Sequence, residues 1–525
     1  MLIDARQIPA GSHLEADVCI VGAGAAGLTI ACELAGGPLK VCLLESGGFD
    51  FEDDTQALYR AKVTGHPINA PDISRLRYFG GTTNHWGGMC APLDESDFAV
   101  RPWLQYSGWP IARKELDPYY QRAAPYVQIA SSDFAIDSWA SEVPSMFKDW
   151  KLDDRLAPLL FQLSPPTRFG EVYRAGLERD ESLQVLLHAN VLSFEADPTG
   201  RTVVEVRVGC LDGKQFVLRA RSYILATGAI ENARLLLNSN AVQPAGLGNA
   251  HDMVGRFFMG HPQVDQVARI VLDAPSNAAA KPLASTLQTY VMMQLQPATA
   301  AREQIARFAA HVDPLASESA TTLHDTPAYQ ALKRLIARLK GTNFRNIGVG
   351  DDVETVFGDV GGLFRGLYTR FGSAPLLDIR PQCEQVPNPD SRIALNGDRD
   401  SLGLRQVDVN WQLTDLDLVG MRRGLATIGD AFARAGHGQM DLGEMIRDAT
   451  PQSIECTEAW HHLGTTRMSE DPRTGVVDRT CRVHGVANLY VAGSSVFPTT
   501  GIVNPTYSIV ALAIRLADHV RGQTV

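Results

Sequence analysis

The chain has 525 residues, of which 45% are hydrophobic and 20% charged, and its formal net charge is −11. That length allows at least one large core and predicts two domains. The acidic balance leaves no basic surplus to neutralise phosphates, which excludes an electrostatic nucleic-acid binder, and it offers no attraction to an anionic membrane surface.

Cys19, Cys32, Cys42, Cys90, Cys210, Cys383, Cys456 and Cys481 include no Cys-x-x-Cys pair. No zinc or iron–sulfur framework is visible, and reduced thiols are the expectation for so large a chain. The N-terminal stretch has no basic segment followed by an apolar one, and no run of 18 apolar residues occurs anywhere. A cytoplasmic protein without a membrane span is therefore expected.

In chain order, "DVCIV" (17–21) reads as a short buried strand, followed at once by "GAGAAG" and then by "LTIACELA", which has helical composition. Gly22, Gly24 and Gly27 fit G-x-G-x-x-G between a strand and a helix. The first glycine permits the tight turn, the second lets backbone approach a pyrophosphate, and the third allows close helix–strand packing. Ala25 and Ala26 open the helix, whose N-terminus favours phosphate. A second strand, "KVCLLES", ends in Glu45 and Ser46, with Glu45 23 residues after Gly22. A carboxylate there is placed to accept hydrogen bonds from an adenosine ribose. This order of elements predicts dinucleotide binding without separating NAD from FAD.

Further along, "YFGGTTNHWGGMCAP" (78–92) is a glycine-rich loop, "QVLLHANVLSFEAD" (184–197) reads as a strand, and "SYILATGAIENARLLLNS" (222–239) as a strand running into Ala226, Thr227 and Gly228 and then a helix. Residues 298–348 read as a helical insertion. Thr326-Pro327 suits a helix start, and Leu332, Leu335, Ile336 and Leu339 form an apolar stripe beside Lys333, Arg334, Arg338 and Lys340, which read as a solvated basic face or, alternatively, as a partner or membrane-surface site. Near the C-terminus come "AWHHLGTTRM" (459–468), "VAGSSV" with Gly493, and "GIVNPTYS" with Asn504, Pro505 and Thr506. No H-E-x-x-H or clustered Cys/His marks a metal site.

The strand ending in Ala226-Thr227-Gly228 resembles the returning strand of FAD-binding flavoproteins. With the loop at 78–92 and the C-terminal stretch, the chain resembles the glucose–methanol–choline (GMC) oxidoreductases, most closely the branch of pyranose oxidases and bacterial sugar and glycoside dehydrogenases. The resemblance covers both ends and the middle FAD segments and is weak between about 265 and 450. It implies a mixed α/β (α+β overall) fold. A Rossmann-like FAD domain would be assembled from 15–97, 184–262 and 451–525, with an antiparallel-sheet substrate domain taking most of 98–183 and 263–450. It also implies FAD contacts at Thr83, Asn84, His85, Trp86, Gly87, Gly88, Val191, Gly493, Asn504, Pro505 and Thr506. His85 falls where relatives with covalent flavin place their histidine. Pyranose oxidases have Thr two residues later, where this chain has Gly87, so oxygen and another electron acceptor both stay open.

Family members carry a histidine in H-x-x-G-T near flavin N5 and a His or Asn about forty residues later. His461 satisfies that spacing with Gly464 and Thr465, and the later partner falls on Asn504. Alcohol oxidation needs a base for the hydroxyl proton, which a neutral imidazole provides near pH 7, while an amide can hold the substrate oxygen. His462, adjacent, is expected to point away and bond elsewhere. Glu384 and Gln385, in "CEQVPNPDSRIAL" (383–395), are either polyol ligands or part of a solvent-facing turn. The function implied is FAD-dependent oxidation of a secondary hydroxyl of a sugar or glycoside to a keto-sugar. Oxidation of a primary alcohol or aminoalcohol to an aldehyde, or a non-redox FAD-bearing lyase, are the alternatives.

Overall fold

The computed structural model describes residues 1–142, 152–265, 267–276, 289–315 and 374–524. Two large sheets share one hydrophobic core. The first has eight strands among the described residues. Its parallel part runs Leu2–Asp4, Leu183–Leu187, Val41–Leu44, His13–Val21 and Gln215–Leu225, and Leu489–Val491 pairs with the far end of the last of these. Val203–Gly209 and Asn190–Ala196 extend it in antiparallel fashion. The strand His13–Val21 is half-exposed at its start and buried over its last four residues. That matches a parallel strand covered on both faces, where a continuous apolar run replaces alternation.

The helix Ala25–Leu34 follows that strand, packed between the sheet and the C-terminal helix Thr506–Thr524. Gly27 has a steric reason: a Cβ there would sit 1.8 Å from the Gly22 carbonyl oxygen. Gly22 itself has φ of 101°, a left-handed conformation that glycine adopts without strain.

The second sheet is antiparallel, with seven strands among the described residues, in the order Gly438–Leu442, Ala268–Ser276, Ala374–Cys383, Phe308–Leu315, Thr289–Leu295, Leu156–Leu163 and Met89–Cys90. Two expectations change here. The segment 184–197 is two strands, because His188 takes a left-handed φ of 57° and turns the chain between them. The region expected to be a helical insertion, 298–348, begins as a helix but does not continue as one. The helix Pro297–Glu303 ends at left-handed Gln304, and Phe308–Leu315 is a strand. Its alanines suit a helix by propensity, but the segment lies between two strands that pair its backbone and bury Phe308, Ala309 and Ala310. The remainder of that region, with Thr326-Pro327 and the apolar stripe, lies outside the described residues. Among the described residues no helix is long and apolar enough to cross a membrane, and no group of three or more His, Cys, Asp or Glu could hold a metal.

Candidate active site

A cavity of about 310 Å³ opens where the carboxyl ends of the first sheet's parallel strands meet the C-terminal loops. At one end Gly22, Gly24, Ala25 and Ala26 line it. No side chain caps the helix Ala25–Leu34, so its first amides are available to an anion. Cβ atoms at Gly24, Gly87, Gly228 or Gly493 would meet nothing within 4 Å, so the backbone at these four glycines lines the cavity bare of side chains. Glu45 closes this end. Its carboxylate accepts from the Ala23 amide at 2.8 Å and the Gly47 amide at 3.0 Å. Burial raises its pKa, and the two amides oppose that shift.

Of the other predicted residues, Ser46, Thr83, His85, Trp86, Val191, Ala226, Thr227, Pro505 and Thr506 line the same cavity. Gly27, Asn84 and Gly88 do not. Gly27 lies beneath the glycine turn, the Asn84 amide donates to the Phe79 carbonyl at 3.0 Å, and Gly88 packs against Ser164. The cavity wall also contains residues that no motif announced. Arg75 and Arg77 are 3.4 and 3.3 Å from the buried Glu231 carboxylate, which also pairs with Arg234. The Glu231–Arg234 spacing is a visible i,i+3 pair, but nothing local ties it to residues about 155 positions earlier.

His85 stacks against Trp460 with ring centroids 5.5 Å apart. Its Nε2 is buried with no hydrogen-bond partner, and burial, helped by Arg168, holds its pKa down.

The histidine pair sits at the other end. Ala459 and Trp460 both take left-handed φ values, 55° and 57°, an uncommon conformation for such side chains. They turn the chain so that the two imidazoles diverge. His461 Nε2 lies 3.4 Å from the Asn504 side-chain nitrogen. His462 turns to Glu458, with Nε2 3.6 Å from Oε1, and packs against Phe258. Burial drives the pKa of both histidines down, well below the usual value for His461, where His261 and His462 add to the effect. His461 is thus neutral at physiological pH. Sequence reasoning missed His261, whose Nδ1 lies 2.8 Å from His461 Nδ1.

Glu384 and Gln385 do not line the cavity. Glu384 is buried and accepts two bonds of 2.5 Å from the Arg101 guanidinium and one of 2.9 Å from the Arg307 amide. Gln385 accepts from the Gly260 amide and the Trp411 indole and donates to the Gln412 carbonyl. The polar groups of Glu384 and Gln385 are thus taken up by protein partners inside the core, while the turn at Pro389 and Asp390, farther along the same segment, reaches the surface.

Residues 387–513 match the family described as GMC oxidoreductase. The chain is 27% identical to paromamine 6'-oxidase of Streptomyces fradiae, over 97% of this chain and 92% of that protein. It is 22% identical to the fructose dehydrogenase large subunit of Gluconobacter japonicus, over 97% and 98%. The C-terminal part of the chain thus matches the GMC oxidoreductases, and the whole chain aligns with these two oxidoreductases. In fold, the chain resembles the solved pyridoxine 4-oxidase from Mesorbium loti, with a TM-score of 0.59 at 17% identity, covering 96% of this chain and 99% of that one. FAD is the cofactor that the sequence leads one to expect in this cavity. The bare glycine backbone, the uncapped helix end and the buried acid fit its diphosphate and ribose.

Proposed function

We propose that this chain is an FAD-dependent GMC oxidoreductase and oxidises a secondary hydroxyl of a sugar or glycoside to a ketone, with His461 as the base and Asn504 as the holder of the substrate oxygen. The observation that carries the reading is the 3.4 Å approach of Asn504 to His461 Nε2 at one end of a glycine-lined cavity. FAD, when bound, supplies the acceptor for the hydride that leaves the carbinol carbon. The chain's own part is the proton and the oxygen. His461 is neutral and takes the hydroxyl proton. The Asn504 amide donates to the oxygen as negative charge develops on it.

The names of the two full-length relatives above include a sugar and paromamine, which supports a polyhydroxylated substrate. Gln382, from the seven-stranded sheet, donates to the Ile502 carbonyl at 2.8 Å and ties that sheet to the loop that carries Asn504. We read this sheet as the substrate side and the eight-stranded sheet as the cofactor side.

The experiment is anaerobic mixing of the FAD-loaded enzyme with a panel of monosaccharides, glycosides and simple alcohols, followed by product analysis. Bleaching by a sugar with a ketone as product supports the reading. An aldehyde product moves it to primary alcohols, and a flavin that no alcohol bleaches overturns the redox assignment.

His85 adds a separate point. Its buried, unpartnered, neutral Nε2 is the atom a histidyl–flavin link would use. Acid precipitation tests the link: yellow colour in the pellet establishes it, and yellow colour in the supernatant rules it out.

A further inference from the structure

We propose that His261 is a positioning residue that sets the tautomer of His461, so that Nε2, the nitrogen beside Asn504, is the one without a proton. The inference rests on the reading of His461 as the base.

The register of a short backbone pairing brings the two rings together. Met259 and Leu463 face each other in an isolated antiparallel bridge, exchanging bonds of 3.1 and 3.0 Å. Two residues outward on each side, the same register puts His261 opposite His461 on a shared face. The rings meet edge to face, 4.9 Å between centroids and 88° between planes.

Donor and acceptor roles then follow by elimination. His261 Nε2 lies 3.1 Å from the Gly501 carbonyl oxygen and 3.3 Å from that of Thr500. Carbonyl oxygens only accept, so Nε2 carries the hydrogen. His261 is fully buried, and burial lowers its pKa to about 4, so the ring is neutral. A neutral ring protonated at Nε2 has a bare lone pair at Nδ1. His461 Nδ1, 2.8 Å away, must therefore donate. That leaves His461 Nε2 as the lone pair, 3.4 Å from the Asn504 amide nitrogen, which can only donate to it.

The arrangement acts again after proton transfer. Once Nε2 has taken the hydroxyl proton, the cationic ring of His461 still presents Nδ1–H to an acceptor already aligned with it, and a charged donor makes the stronger bond. A carboxylate usually fills this place in catalytic dyads. Here a neutral imidazole backed by two carbonyls does so without adding a buried negative charge. The carbonyls come from the loop that carries Asn504, so one loop orients both the holder of the oxygen and, through His261, the base.

The test uses the FAD-loaded enzyme with ring-15N histidine, in which the two nitrogens of a neutral imidazole report which one holds the proton. The His461 signals are assigned by their loss in His461→Ala. The expected result is His461 protonated at Nδ1. Protonation at Nε2 overturns the inference.

His261→Phe keeps the ring but removes the acceptor. It should slow the limiting rate of flavin reduction by roughly 10- to 100-fold, the scale on which partners that orient an imidazole act, with FAD content and half-saturating substrate unchanged. His261→Asn, whose side-chain carbonyl can accept from His461 Nδ1, should recover most of that loss. A His261→Phe enzyme that is reduced as fast as the parent overturns the inference. If His261→Phe does not fold, the wild-type tautomer and the His261→Asn rate decide. The base reading fails separately, through a His461→Ala enzyme that is still reduced at the parent rate.

Discussion

Asn504 and His461 stand 43 positions apart in the chain, yet their side-chain nitrogens Nδ2 and Nε2 approach to 3.4 Å. Both residues are half-buried, and the Asn504 Oδ1 is buried without a partner. A substrate hydroxyl entering between them would find one group able to accept its proton and another able to donate to its oxygen.

His461→Ala should therefore lower the rate of flavin reduction by about 10²–10⁴-fold, the usual range for loss of a general base, and should leave FAD bound because the amides proposed to meet the diphosphate lie elsewhere, at Gly22–Ala26. Asn504→Ala should cost about 10²-fold, the scale of a lost oxyanion donor. His462→Ala should mainly alter stability, since its ring faces Glu458 and Phe258. Stopped-flow reduction of the three variants at saturating substrate checks all three. Loss of reduction in His462→Ala with normal reduction in His461→Ala would reverse the assignment.

The pH dependence has a defined sign. His261 has a folded pKa of about 4, below its unfolded value near 6.5. Between those values the unfolded chain binds the extra proton, so the neutral buried ring stabilises the fold above about pH 6.5, and that contribution is lost as pH falls toward 4. Asp97 and Asp417, with pKa values raised to about 6 by burial, act in the opposite direction. The difference between wild type and His261→Asn isolates the histidine. The gap between their melting midpoints should move against the wild type as pH is lowered from 7 to 5. A gap independent of pH would contradict the neutral-ring account.

Glu384→Ala tests a structural role against a substrate-binding one. It strands the buried Arg101 guanidinium, whose two bonds to Glu384 are 2.5 Å long. Removing one partner of a buried pair costs about 3–5 kcal/mol. Chemical denaturation should show that loss. At a temperature where the variant is folded, the substrate concentration for half-maximal flavin reduction should be unchanged, and a raised value with normal stability would return Glu384 to the substrate site.

Gly27→Ala places a methyl group 1.8 Å from the Gly22 carbonyl oxygen. The turn can accept it only by moving away from the helix, which displaces the amides proposed to meet the diphosphate. The expected outcome is purified protein with little bound flavin, read from the ratio of visible to ultraviolet absorbance. Full flavin occupancy would show that the turn tolerates the shift.

The readable parts of this protein are those written in adjacent residues. The Gly22–Gly27 turn, the acid at Glu45, the strand into Gly228 and the histidine motif at 461 each depend on backbone conformation and spacing within a few positions. A strand-to-helix turn of this tightness admits few residue types. What tertiary structure decided involves pairings across hundreds of positions. Glu384, in a segment that reads as a turn, was claimed by Arg101, 283 positions away, because a carboxylate entering the core needs a countercharge. Phe308–Leu315, helical by its alanines, became a strand because neighbours on both sides paired its backbone. His261 has no distinguishing spacing, and only the register of Met259 against Leu463 brings it to His461. Adjacent residues thus set out the glycine turn, the acid and the histidine motif. Packing alone set the partner of His461 Nδ1, because that partner, His261, lies 200 residues away and is reached only through a backbone register.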